Sequence, residues 1–302
     1  MYRILFLLLA LPSFAQMSSD FESWLDSNGY ASYNFERDDL TGGSYGGRDY
    51  AGQTVTNQPV IFIHGNSDRA IGGEFDGWED SINYFLTQGY TNAELYATTW
   101  GPADSDLVTL QYHSKDYVTR LRAFILAVKA YTGATKVDVI THSMGVTLGR
   151  KAIKGGYHSD LLAGGTYYVG SAITSSVDTF VGIAGANRGL VACYLTGPST
   201  PTCGSTNGLY PGYLFWGFVT GVSDFLNDIN SSSGYEGSYV YSIWSTKDTL
   251  IDYSNLVYGK RTSRIPGQDG EVVFTTTPYD HFGSKDLSTY NQWRMVMVHS
   301  TN

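Results

Sequence analysis

The sequence predicts an α/β fold, a mostly parallel sheet of about six strands with helices on both faces and one irregular insertion. Three observations predict it. Short apolar runs alternate with helical patterns from residue 60 onward, the runs are almost continuously β-branched or aromatic, and an amphipathic crossover helix sits between two of them. The runs occupy residues 59–63, 94–100, 136–141, 179–184, 239–244 and 271–275. Val60-Ile61-Phe62-Ile63 is typical of a strand buried on both faces.

The helices follow from periodicity and punctuation. Tyr117, Leu121, Phe124, Ile125, Val128 and Tyr131 form a stripe at i, i+4, i+7, i+8 spacing, the apolar side of a crossover helix. Residues 77–88 and 145–154 also read as helices, closed by Gly89 and by Gly155-Gly156. Ser19-Asp20-Phe21-Glu22 has the form of a capping box opening a short helix that ends near Asn28-Gly29. The glycine-rich stretch 42–47 lacks the Lys-Ser/Thr of a phosphate loop and reads as a flexible connector. Residues 186–237 have no clean period and hold the apolar patch 210–219. That segment reads equally as a cap or lid inserted in one α/β domain, 16–302, or as a buried helix.

Composition narrows the class. The chain has 302 residues, 42% hydrophobic and 16% charged, with 24 Tyr, 14 Phe and 6 Trp, which excludes a disordered polymer. The net charge of −9, with no Lys/Arg run, excludes nucleic acid as a partner. Residues 1–15 carry Arg3, an apolar run from Ile4 to Leu11 and small residues before Gln16, the pattern of a secretory signal peptide. That run is too short for a transmembrane segment, and no later stretch is long enough. Secretion into an oxidising compartment predicts that Cys193 and Cys203 pair. Asn230-Ser231-Ser232 predicts a glycan on an exposed loop.

In parallel sheets the chemistry lies just beyond the carboxyl ends of the strands. After the third run comes Thr141-His142-Ser143-Met144-Gly145 and then a helix, which is the context of a nucleophile elbow, G-x-S-x-G, with Thr in the first glycine position. An elbow serine needs an acid and then a histidine, each after a later strand. The fifth run ends at Asp248 and the sixth is followed by His281, with Asp252 and Asp280 as alternative acids. His299 lies near the end of a terminal apolar segment, and His142 is too close to Ser143 across a tight turn to serve as its base. The backbone amides of Met144, at a helix start, and of Asn66, in the His64-Gly65-Asn66-Ser67 turn after the first run, are the expected oxyanion donors. No cluster has metal-ligand spacing and no cofactor is implied.

Taken together, His64-Gly65-Asn66-Ser67-Asp68, Thr141-His142-Ser143-Met144-Gly145, Gly185-Ala186-Asn187-Arg188-Gly189 and Ser245-Thr246-Lys247-Asp248 resemble the class 2 triacylglycerol lipases, especially nematode-type secreted members. Asn28-Gly29-Tyr30 and Arg37-Asp38-Asp39-Leu40 fit the same pattern. The resemblance implies an α/β-hydrolase fold and hydrolysis of a lipid or other carboxylester by Ser143, His281 and Asp248, with transient contact at a lipid interface. Phe225, Leu226 and the 210–219 patch are then expected to line an acyl pocket or form a lid. A short-chain esterase, a thioesterase or an acyltransferase uses the same residues, whereas a non-catalytic lipid-binding module would have lost one of them.

Overall fold

The computed structural model describes residues 16–251 and 253–302, so the expected leader, 1–15, and Asp252 lie outside the described residues. Ahead of the six expected strands stands a short one, Ser44–Tyr45 (β1). The six are Val60–Ile63 (β2), Leu95–Thr98 (β3), Val137–His142 (β4), Val177–Ile183 (β5), Tyr239–Ser245 (β6) and Gly270–Phe274 (β7). They form one sheet in the order β1-β3-β2-β4-β5-β6-β7. Every neighbouring pair is parallel except β1 with β3.

Alternation along the strands divides the core in two. Ile61, Val139 and Phe180, paired across β2, β4 and β5, face one side. There they meet helices Ser19–Ser27 (α1), Lys115–Thr132 (α3) and Met144–Lys154 (α4). Val60, Phe62, Ile140 and Ile243 face the other side, against Glu79–Thr87 (α2) and Thr289–Val298 (α8), which follows the short helix Gly283–Asp286 (α7). Helix α3 is capped by Ser114, whose hydroxyl accepts from the Tyr117 amide, and stops at Gly133, which has φ +73. Helix α4 is buried from Met144 to Ile153, so its two interior cations need partners. Lys151 is bonded to Asp228, and Arg150 to Glu236, Asn187, Asn230 and the Ile229 carbonyl.

Three expectations are corrected, and a fourth, left open between two readings, is divided between them. The cap of α1 is Ser18, not Ser19, and it accepts from the Phe21 amide; Phe21 then stands where a capping box needs Glu or Gln, so the expected box does not form. The stretch 42–47 is not a connector: it contains β1 and is mostly buried. Its glycines permit close approach, since a Cβ on Gly46, at φ +107, would stand 2.0 Å from the Leu95 carbonyl oxygen. The insertion is divided between the two readings. It holds the helices Val191–Thr196 (α5) and Asp224–Ile229 (α6) and the hairpin Tyr213–Phe215/Phe218–Thr220. Phe225, Leu226 and Ile229 are core residues of α6, whereas the hairpin is exposed along its whole length. Asn230, expected on an exposed loop, is half-buried, and its amide nitrogen donates to the Asn187 carbonyl at 2.7 Å.

The Cys193–Cys203 disulfide is present. A polar two-stranded ribbon, Tyr157–Asp160 with Gly165–Tyr168, follows α4 without any apolar pattern to announce it. Among the described residues, no helix is long and apolar enough to cross a membrane and no His/Cys/Asp/Glu group has metal-binding geometry.

The packing at β1 has a measurable consequence. Gly46→Ala adds a Cβ against backbone at a positive φ, and the expected loss is about 2–5 kcal/mol of stability, read as a lower urea midpoint with unchanged slope. A midpoint equal to wild type would contradict the close approach.

Candidate active site

The site begins with a strained turn. Ser143 links β4 to α4 at φ 54 and ψ −124, and its side chain does not cap the helix it starts. The turn closes against the loop after β2 so tightly that a Cβ on Gly145 would lie 2.3 Å from the His64 carbonyl oxygen. Thr141, in the place of the usual first glycine, is tolerated for a visible reason. Its hydroxyl donates to the Val181 carbonyl at 2.9 Å, and its methyl is met by Gly149, where a Cβ would come within 3.2 Å of it.

Beyond the strand ends the acid and the histidine meet. His281 Nδ1 lies 2.7 Å from Asp248 Oδ2, and the other carboxylate oxygen accepts from the amides of Leu250 and Ile251 at 3.0 and 2.8 Å. An ionised Asp248 only accepts, so Nδ1 carries the proton and Nε2 remains an acceptor. His281 and Ser143 line one cavity of about 370 Å³. The alternatives are engaged elsewhere: Asp280 accepts from the Gly283 amide at 2.8 Å, and His299 stacks on Tyr239 and bonds Asp178.

Neighbouring imidazoles hold this arrangement in place. His142 Nε2 donates to the His281 carbonyl at 3.1 Å. Burial, then the nearby His281, pushes its pKa well below the usual value, so its ring stays neutral. His64 is stacked on Trp100 and likewise neutral, with burial lowering it to about 3. Its Nε2 accepts from the Trp100 amide, so Nδ1 donates to the Gly65 carbonyl at 2.7 Å. A trans peptide points its N–H opposite to its C=O, so this bond aims the Asn66 amide the other way. The Asn66 side chain is tied to the Val108 carbonyl at 2.9 Å. Among the described residues, neither the Asn66 nor the Met144 amide has a partner, and both residues line the cavity.

The walls of the cavity are apolar. Val108, Leu190, Leu209, Leu250 and Ile251 line it, with Phe75 and Phe282 stacked 4.7 Å apart at one side. Phe225 and Leu226 do not; Phe225 instead stacks on His113 inside the core. The wall residues were missed from sequence because they lie in connections between the main strands and helices, Val108 in the 3-10 turn Ser105–Leu110 among them. The proximity of Leu250-Ile251 to Asp248 and of Phe282 to His281 was the available signal. Asp68 also lines the cavity, almost wholly buried, with one carboxylate oxygen accepting from the Arg69 amide at 2.8 Å.

Similar structures place this geometry in a class. Aspergillus fumigatus lipase B matches with a TM-score of 0.53 and 13% identity over 82% of this chain and 54% of that one, so this chain spans about half its length. A structure described as that of LipS and LipT, two metagenome-derived lipolytic enzymes, matches with TM-score 0.54 and 13% identity over 86% of this chain and 99% of that one. Bacillus licheniformis lipase BlEst2 in its mature form matches with TM-score 0.51 and 14% identity over 84% and 97%. The fold is that of the α/β-hydrolases, the class of these lipases and esterases. Within it the class 2 lipase family model matches residues 57–294. The chain belongs to that family and is a lipolytic hydrolase.

Asp68 supplies a test of the site's electrostatics. Burial raises its carboxyl to about 7, against the opposing pull of Lys285. The folded chain thus keeps a proton that the unfolded chain releases above about pH 4. The resulting stability is full below that pH and is lost as pH rises through 7. Asp68→Asn keeps the acceptor for Arg69 without titrating, so the variant is expected to gain about 2–4 kcal/mol on wild type between pH 4 and pH 8. Urea unfolding at both pH values measures it, and an unchanged difference would reject the buried proton.

Proposed function

We propose that the protein is a secreted serine carboxylester hydrolase, a triacylglycerol lipase working through Ser143, His281 and Asp248. The observation that carries the reading is the bonded His281–Asp248 pair opening on the same cavity as the strained Ser143. Ser143 Oγ attacks the ester carbonyl while His281 Nε2 takes its proton, and Asp248 stabilises the imidazolium. The amides of Asn66 and Met144, the latter at the positive end of α4, hold the oxyanion. His281 then gives its proton to the departing alcohol, and water activated by the same nitrogen releases the acid. No cofactor takes part in this scheme.

Apolar walls at Leu190, Leu209, Leu250 and Ile251 favour a long acyl chain. Secretion is supported by the leader pattern in 1–15 and by the disulfide.

Ser143→Ala is expected to abolish turnover of dissolved esters with the fold intact, and Asp248→Asn to lower kcat on the order of 10⁴-fold. Activity near wild type in either variant would remove that residue from the mechanism. Across acyl lengths, turnover of emulsified long-chain triacylglycerols separates a lipase from a short-chain esterase, and its absence would reject the lipase reading.

A further inference from the structure

The hairpin Tyr213–Phe215/Phe218–Thr220 is unlike the rest of the surface. Trp216 is 86% exposed, Phe218 75%, Phe215 59% and Leu214 57%, and every residue of both strands is exposed. The ladder pairs Phe215 with Phe218 and Leu214 with Val219 around the two-residue turn Trp216-Gly217. Both turn residues have positive φ, 50 for Trp216 and 83 for Gly217. Such turns are ordinarily made by Asn, Asp or Gly, and a bulky side chain at the first position is strained. A tryptophan 86% exposed in that strained position is the feature the fold itself does not account for.

The hairpin also lacks charge. No charged residue lies between Arg188 and Asp224, although the chain as a whole carries −9. Its base runs into the site: Leu209 lines the cavity and its carbonyl accepts from the Leu190 amide at 3.1 Å, while the Ser223 amide donates to the Tyr210 carbonyl. Val108 and Leu250, also cavity-lining, are 43% and 55% exposed. The cavity is thus rimmed by exposed apolar side chains, and only the residues 210–212 separate cavity-lining Leu209 from the hairpin.

We propose that this hairpin is a lipid anchor, which inserts Trp216, Phe215 and Phe218 into the surface of an uncharged lipid droplet and holds the cavity mouth against it. The identity of that lipid as the ester substrate rests on the function proposed above; the docking does not. A folded partner covers one face of a two-stranded ribbon, whereas both faces here are apolar and exposed, which suits immersion in lipid. Aromatic side chains at the tip match the preference of Trp for the lipid–water boundary. The absence of cations rules out attraction to anionic headgroups as the driving force, and a second copy would bring two acidic molecules together. The hairpin is an anchor beside the cavity rather than a lid, since none of its residues lines the site.

The test uses the whole mature chain carrying Ser143→Ala, so that no lipid is consumed, and trioleoylglycerol droplets coated with phosphatidylcholine. The chain is expected to float with the droplets and to stay bound in about 1 M salt, where charge contacts are screened. The further changes Phe215→Ser, Trp216→Ser and Phe218→Ser are expected to weaken flotation by at least about tenfold. In a chain that retains Ser143, the same three changes leave turnover of a dissolved butyrate ester within about twofold, which also shows that the variant folds. Equal flotation of variant and parent would overturn the proposal. So would a change confined to the oligomeric state in lipid-free sedimentation, which assigns the hairpin to contact between copies. Failure of the dissolved-ester assay in the unsubstituted chain overturns the function proposed above, while flotation still reads the anchor alone.

Discussion

The architecture of the site depends on the backbone at Ser143. A non-glycine residue at φ 54 costs on the order of 1–3 kcal/mol and persists only where its surroundings leave no alternative. Here they leave none. The Ser143 amide is bonded to the Ile183 carbonyl at the end of β5, and the following helix is buried along nearly its whole length. Gly65 and Gly145 bring the loop after β2 against the turn: a Cβ on Gly65 would stand 3.0 Å from that of Ser143. The same compression brings the residue after Gly65, Asn66, toward the start of α4, so the proposed nucleophile and the proposed oxyanion donors are positioned by a single packing event.

A second constraint ties this turn to the insertion. Arg150, on α4, is wholly buried and paired with an equally buried Glu236 at 2.9 Å. Such a pair gains little over apolar packing, but losing either partner strands a charge in the interior. Its remaining donors hold Asn187, which follows β5, and Asn230 with the Ile229 carbonyl at the end of α6. The Asn187-Arg188 portion of the motif seen in sequence is thus explained in part as structure: Asn187 is a joint between α4 and the insertion. The polar network specifies where α6 docks, whereas Phe225 and Leu226 supply the apolar area.

Much of the fold was legible because the strands of a parallel sheet are covered on both sides and cannot hide their composition. Residues 60–63 and 137–142 are of this kind. The chain order of Ser143, Asp248 and His281 was legible for a related reason: each follows such a strand. What was not legible is local and polar. Strand β1 is two residues among glycines, and the ribbon at 157–168 shows no apolar alternation; its form depends on a turn in which Asp160 caps Leu162 and Ala163. The cavity walls come from separate loops that only the closed chain brings together. Phe225 was misplaced because an apolar pair on a short segment reads alike in a pocket and in a core, and only packing against His113 distinguishes them.

The disulfide has a consequence for the site. Thr202, one residue before Cys203, sets its hydroxyl between two carbonyl acceptors, Gln111 at 2.5 Å and Val108 at 2.7 Å, and the Val108 oxygen is the one that receives the Asn66 side chain. One acceptor thus joins the ring closed by Cys193 and Cys203 to the loop that carries Asn66, the proposed oxyanion donor. Closing the ring removes conformational freedom from Thr202. A reduced chain has no such closure, so the oxidising environment that pairs Cys193 with Cys203 also restrains the residue that shares an acceptor with Asn66.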